Sequence, residues 1–345
     1  MHEPCASLIR AVRCHKLDHM SEAKVEPRPS LAQEFTAELI LYWKQWPHKI
    51  LFGCLFTAWV LLFDYFGNST LGYMNTPSIF GWLEYCYYNS EDDSFGRWIP
   101  PMVIGLFWWK RQEMREAISG PWKGALPLLI AAIILHLAGY MIQQTRISMF
   151  GFLLGIYSLL GLTWGRKFMW ASTFPMVLLV FCVPLNALAE TITFPMRILI
   201  TKLSVGAAHN ILGIEVFRNG SQIMNAKGVA MYDVAPACSG IRSLVTLVAL
   251  SSIYGFTSFK TGWKRGLIVL LSLPLAILGN WVRVTTVIVV GEAFGLQYGL
   301  MIEQKFGFIT FAVALGLLLL VGSYLREDVA PQSTPKNPAP NPEPA

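Results

Sequence analysis

The chain has 345 residues, of which 54% are hydrophobic and 14% charged, with a formal net charge of +6 and a mean hydropathy of +0.47. That is too apolar for an ordinary soluble domain, and apolar runs of about 17 to 20 residues recur, each long enough to cross a hydrocarbon core roughly 30 Å thick. The basic residues sit in short clusters between these runs, not along one stripe, so the charge reads as membrane topology and no nucleic acid is expected as a partner.

Residues 1–48 are polar and mixed in charge, show no cleavable signal peptide and are expected in the cytoplasm, with Met20 an alternative start to Met1. Cys5, Cys14, His15 and His19 match no zinc-ligand spacing, so no metal site is expected there. Together with Cys54, Cys86, Cys182 and Cys238, the cysteines form neither a CxxC pair nor a disulfide framework.

Eight apolar spans follow: Lys49–Phe66, Trp98–Trp109, Ala125–Ile142, Ile147–Trp164, Phe168–Leu185, Cys238–Phe256, Gly266–Val290 and Phe306–Leu325. The second is short and rests on Trp98, Trp108 and Trp109 as interfacial anchors and on the charge pattern around it. Lys110, Arg111, Arg115 and Lys123 follow span two, Arg166 and Lys167 span four, Lys260, Lys264 and Arg265 span six, and Arg326 span eight. The loop from Gly67 to Arg97 carries Glu84, Glu91, Asp92 and Asp93 instead, and the positive-inside rule then puts both termini in the cytoplasm.

On this reading residues 49–185 hold the N-terminal transmembrane helices, 186–237 an outer-face segment, 238–326 the helices that carry the site, and 327–345 a disordered Pro-rich tail. Within the outer segment, Glu190–Leu212 is expected as an interfacial amphipathic helix. Ile214–Arg218, the turn pair Asn219 and Gly220, and Gln222–Met224 read as a small hairpin. A full crossing by the interfacial helix is the alternative, and it would invert everything downstream. The fold class is an all-α integral membrane protein, a polytopic bundle of about eight transmembrane helices with a small outer-face hairpin.

Span six opens Ala235, Pro236, Ala237, Cys238, which sets the thiol in the first turn of a helix, where the N-terminal dipole stabilises a thiolate. Arg242, four residues on, shares that helical face. Arg283 lies about 17 residues past Gly266, roughly 25 Å up a 30 Å core, and so reaches the depth of Cys238. An intramembrane arginine normally faces the bundle interior, and Asn280 is three residues below it. The bland readings are an inert small hydrophobe for Cys238 and an arginine snorkelling to the outer interface for Arg283.

At these residues the sequence resembles the exosortase/archaeosortase family. YDVAPACSGIRSL at 232–244 is similar to its cysteine motif, PLAILGNWVRV at 274–284 to its second motif, and FRNG at 217–220 to the stretch before the cysteine motif. The resemblance implies a membrane-embedded thiol protease or transpeptidase of the cell inner membrane, with its site on the outer, periplasmic face. Its partners are then exported proteins bearing a C-terminal sorting signal (a PEP-type motif, a transmembrane helix and a basic tail), together with the lipid bilayer, and no cofactor is needed. By the same implication Cys238 is the nucleophile that forms an acyl-thioester and Arg283 the second catalytic residue. The third motif departs from the bacterial pattern: Gly307 and Phe311 fit, but Glu303 stands at the histidine position, followed by Gln304. Glu303 is therefore carried as the third catalytic residue, with Arg242, Asn280 and Gln304 supporting the site. Arg326, at the cytoplasmic end of span eight on this topology, does not reach it. The Pro-Glu-Pro triplet at 342–344 is a product of tail composition, since no apolar span or basic cluster follows it.

Two other functions compete. A transporter subunit would use Arg242, Arg283 and Asn280 to line a polar path, although no inverted repeats with paired broken helices are evident. A binding or scaffold role would follow if the lost histidine had removed catalysis.

Overall fold

The computed structural model describes residues 36, 40, 44, 46–70, 74–90, 92–184, 186–225, 230–233 and 241–325; for 186–193, 230–233, 241, 296, 300 and 303–305 it describes the backbone alone. The chain divides into two compact units, Met1–Lys49 and Ile50–Ala345, and apart from Lys49 the helices and strands named below belong to the second. Cys5, Cys14, His15, His19, Cys238 and the tail 327–345 lie outside the described residues.

Helix α1 (Lys49–Phe66) has the bounds its apolar run requires. Between it and the next span, where the sequence reads as loop, lies α2 (Ile79–Asn89). Ser78 caps it, accepting from the Phe80 and Gly81 N–H groups while its hydroxyl donates to Asp64 Oδ1 at 2.6 Å. A 3-10 turn (Ser94–Trp98) leads into α3 (Ile99–Trp109), which opens with proline in its first turn and is followed by the short α4 (Arg111–Glu116). Next come α5 (Leu126–Met141), α6 (Thr145–Trp164) and α7 (Arg166–Leu178), the last ending in a 3-10 turn at Leu179–Cys182.

The segment after α7 begins with α8 (Asn186–Asn210), close to the helix expected at Glu190–Leu212. The hairpin pairing is present: β1 (Val216–Asn219) and β2 (Gln222–Asn225) are antiparallel, with Asn219 opposite Gln222 across a two-residue turn at Gly220, whose φ is +62°. A third strand that the sequence reading missed, β3 (Ala230–Asp233), pairs with β2 through an irregular register at Ile223 and Met224. Helices α9 (Ile241–Ser258), α10 (Gly262–Phe294) and α11 (Leu296–Tyr324) complete the chain.

Among the described residues five helices are long and apolar enough to cross a bilayer: Lys49–Phe66, Lys123–Met141, Thr145–Trp164, Gly262–Phe294 and Phe306–Tyr324. The architecture is that of a helical, multi-pass membrane protein. The expected count of eight is not reached on this measure. Helix α3 has 11 residues and α7 has 13, while the start expected for span six, Cys238, falls outside the described residues.

Two groups of helices hold the bundle. In the N-terminal group, Trp59 and Phe63 of α1 pack with Val103 of α3 and with Met149 and Phe152 of α6. The Trp59 indole N–H donates to the Phe152 carbonyl at 3.1 Å, so its one polar atom is satisfied in the core. Asn68, 1% exposed, ties the loop after α1 to α6: its Oδ1 accepts from Thr145 Oγ1 and Thr70 Oγ1, both at 2.6 Å, and its Nδ2 donates to the Thr76 carbonyl at 2.7 Å. In the C-terminal group α10 packs against α8, α9 and α11. Gly295, at φ +101°, ends α10 and starts α11, making the pair an antiparallel helical hairpin. At its other end Lys264 donates to the Leu325 carbonyl at 3.1 Å and Arg265 to the Phe259 carbonyl at 2.8 Å, so basic residues read as topology signals also cap helix C-termini. Val216 and Ile223 of the sheet pack on Ile200 and Ala208 of α8 and on Val284, Val287 and Ile288 of α10, which seats the sheet beside the turn that follows Arg283.

Candidate active site

The site is assembled from α9, α10 and α11. Residues Ala276, Gly279, Asn280 and Arg283 recur at the three- and four-residue spacing of one helical face, and on α10 that face is turned inward. Asn280 is 6% exposed. Across from it, Thr310, Phe311 and Ala314 present the facing stripe of α11, and Ser243 and Leu247 come from α9. These side chains enclose a cavity of about 10 Å³, room for about one water. Below it Leu247, Ala276 and Ala314 close the three-helix junction with apolar contacts.

The register of the α10/α11 hairpin can be read from its glycines. A Cβ added at Gly279 would stand 3.5 Å from the Thr310 carbonyl, and one added at Gly307 would stand 3.2 Å from Arg283 Cζ. Thr310 Oγ1 is turned back on its own helix, donating to the Phe306 and Gly307 carbonyls at 3.2 Å each. Arg283 Nε is buried and makes no hydrogen bond among the described residues.

Arg283 and Asn280 therefore meet at one cavity, as their spacing predicts. Arg242 does not line it. Its Nε lies 4.0 Å from Asp92 Oδ1, and the two side chains are 43% and 26% exposed, so the start of α9 is linked to the acidic loop before α3. The neighbouring Ser243 is the residue of that turn that reaches Arg283's cavity. Glu303 lies one helical turn before Gly307, on the α11 face that meets Arg283, with Gln304 beside it; both are described by backbone alone. The sequence reading passed over Ser243, Thr310 and the close approach of Gly307 to Arg283. A glycine in an apolar helix, opposite the only arginine of the facing span, was the signal that could have found the last.

Among the described cysteines Cys54 is exposed, Cys86 and Cys182 are buried, and all three are unpaired thiols. Burial, reinforced by the Asp93 carboxylate, pushes the Cys86 thiol up to about 11, which keeps it protonated and unreactive at neutral pH. Among the described residues no group of three or more His, Cys, Asp and Glu side chains is arranged to hold a metal ion.

A family model described as transmembrane exosortase matches residues 82–320, more than half of the chain, a range that takes in Cys238, Arg283 and Glu303. Neither curated proteins nor solved structures give a match.

Proposed function

The chain belongs to the transmembrane exosortase family, and from that premise we propose that it is a thiol protease or transpeptidase that cleaves C-terminal sorting signals from exported proteins at the outer face of the inner membrane. Cys238 is the nucleophile and Arg283 the cation that serves it. The observation that carries this reading is the meeting of α9, α10 and α11 at Arg283: Ser243 lines the same cavity as the guanidinium, and Cys238 precedes Ser243 by only five residues. Fully extended, five residues reach at most about 18 Å, which sets the upper limit on the separation of the two positions along the chain.

The chemistry follows from the groups. A thiolate is the reactive form of cysteine, and the arginine charge favours it. Attack on the scissile carbonyl puts negative charge on its oxygen, and the guanidinium, with up to five N–H donors in a fixed fork, stabilises that oxyanion. Collapse breaks the C–N bond, the leaving nitrogen takes a proton from water and departs as the amine of the C-terminal fragment, and an acyl-thioester remains on Cys238; water then completes proteolysis, or an acceptor amine completes transfer. Arginine does not supply the leaving amine's proton, because its pKa exceeds about 12. Glu303 is assigned to orienting Arg283, with proton transfer the competing role. Gln304 and Asn280 support the pair, and Arg242 acts through its link to Asp92.

Glutamate at the histidine position favours a second reading, a family member that binds sorting signals without cleaving them. One experiment separates the two: processing of a sorting-signal substrate by Cys238→Ala and Cys238→Ser, with membrane levels matched to the wild type. Cleavage by the wild type and loss in both variants supports the protease, since an alcohol is far harder to deprotonate than a thiol. Processing unchanged in both variants, or absent in the wild type, overturns it.

A further inference from the structure

Arg283 has a long, freely rotating side chain, and holding its head in one orientation costs rotamer entropy unless something restrains it. Its Nε makes no hydrogen bond among the described residues, so at that atom the restraint is one of shape. The shape comes from position 307. A Cβ there would stand 3.2 Å from Arg283 Cζ, 3.3 Å from Nε and 3.4 Å from Nη1, closer than the roughly 3.5–4.0 Å of an optimal nonbonded contact. Three atoms of the guanidinium plane thus cover the notch left by the missing side chain, and they are its three nearest neighbours. Among the other glycines of the hairpin, Gly322 is covered by the Tyr254 ring of α9, while no side chain of that kind covers Gly279 or Gly316. Gly279 faces the Thr310 carbonyl at 3.5 Å and the Ala314 Cβ at 3.7 Å, as in ordinary helix packing, and Gly316 faces open space. Glycine inside a helix is less favourable than alanine, so α11 alone would favour alanine at 307.

We propose that Gly307 is a positioning residue for the cation: the bare backbone of α11 is the seat on which the Arg283 guanidinium lies, and it fixes the direction of the fork. The proposal rests on the reading of Arg283 as the charge that serves Cys238. The three atoms nearest an added methyl group all belong to the far end of a flexible side chain, so the helices need not part. The head shifts by a few tenths of an ångström while the fold stays.

The test uses the full-length protein in membranes as wild type, Gly307→Ala, Arg283→Gln, the double variant and Gly316→Ala. Two quantities are read: the kinetics of sorting-signal cleavage, and the pH profile of Cys238 alkylation by iodoacetamide. Gly307→Ala is expected to lower kcat about 10-fold with KM nearly unchanged, because a group that acts in the transition state has moved. The alkylation midpoint should rise in the same direction as in Arg283→Gln, by less. In the double variant the effect of Gly307→Ala should vanish, and Gly316→Ala should match the wild type. If Gly307→Ala does not accumulate, the double variant decides: recovery once the guanidinium is gone supports the seat, and continued absence overturns it. Wild-type kinetics and alkylation in Gly307→Ala beside an inactive Arg283→Gln overturn the seat and leave the site reading standing. The same fold-loss in both backgrounds assigns Gly307 to helix packing and overturns it too. Wild-type cleavage by Arg283→Gln removes the underlying reading, and the seat with it.

Discussion

Replacing Arg283 by lysine separates the charge of the side chain from its fork. The lysine Nζ falls close to where Cζ lies in arginine, the atom that stands 3.2 Å from the Gly307 notch, so the positive charge stays in place while the two terminal nitrogens are lost. A charge-assisted hydrogen bond is worth roughly 1.5 to 3 kcal/mol, which at 1.36 kcal/mol per tenfold corresponds to about a 10- to 150-fold fall in kcat. Arg283→Gln removes the charge as well and should fall by roughly 100- to 1000-fold, the range seen when an oxyanion donor is deleted. The assay is cleavage of a sorting-signal substrate in membranes, normalised to the amount of folded variant. Equal activity in Arg283→Lys and the wild type would refute the fork; equal loss in the lysine and glutamine variants would refute any role for the charge alone.

Glu303→Gln should lower the rate about 5- to 30-fold if the carboxylate only orients Arg283, whereas a loss of 100-fold or more would make it a proton-transfer group. Wild-type rates in Glu303→Ala and in Gln304→Ala would remove that segment from the mechanism. In the N-terminal group, Asn68→Ala strips the partner from the buried Thr145 hydroxyl, which is 3% exposed, and should destabilise the protein by roughly 2 to 4 kcal/mol. Unfolding in detergent measures this, with cleavage per folded molecule expected to be unchanged; undiminished stability would contradict the structural role given to that knot.

The long apolar runs were legible because lipid demands them. Helix α1 falls on its expected bounds, and the α10 spacing that groups Asn280 with Arg283 survives intact. Shorter elements escaped for physical reasons. Helix α2 is too short to span and is fixed by a cap, Ser78, whose hydroxyl bonds 14 residues back to Asp64. Strand β3 has four residues and exists only through its pairing with β2. The link between Arg242 and Asp92 joins positions far apart in the chain, which local spacing does not show. Gly307 was visible as a motif position. Its use was not, because the group that needs the space belongs to the facing helix.

The central claim, that Cys238 attacks the substrate, is tested most directly by trapping the acyl-thioester. Membranes carrying the protein are mixed with a sorting-signal peptide, quenched in acid and digested, and the Cys238 peptide is examined by mass spectrometry with and without hydroxylamine. Cys86, held protonated by burial with its thiol pushed up to about 11, provides an internal control that should stay unmodified. The account predicts a hydroxylamine-sensitive adduct on Cys238 whose mass equals the acyl part of the substrate, and none on Cys86. Cleavage that proceeds with no adduct on Cys238, and persists in Cys238→Ala, would contradict it.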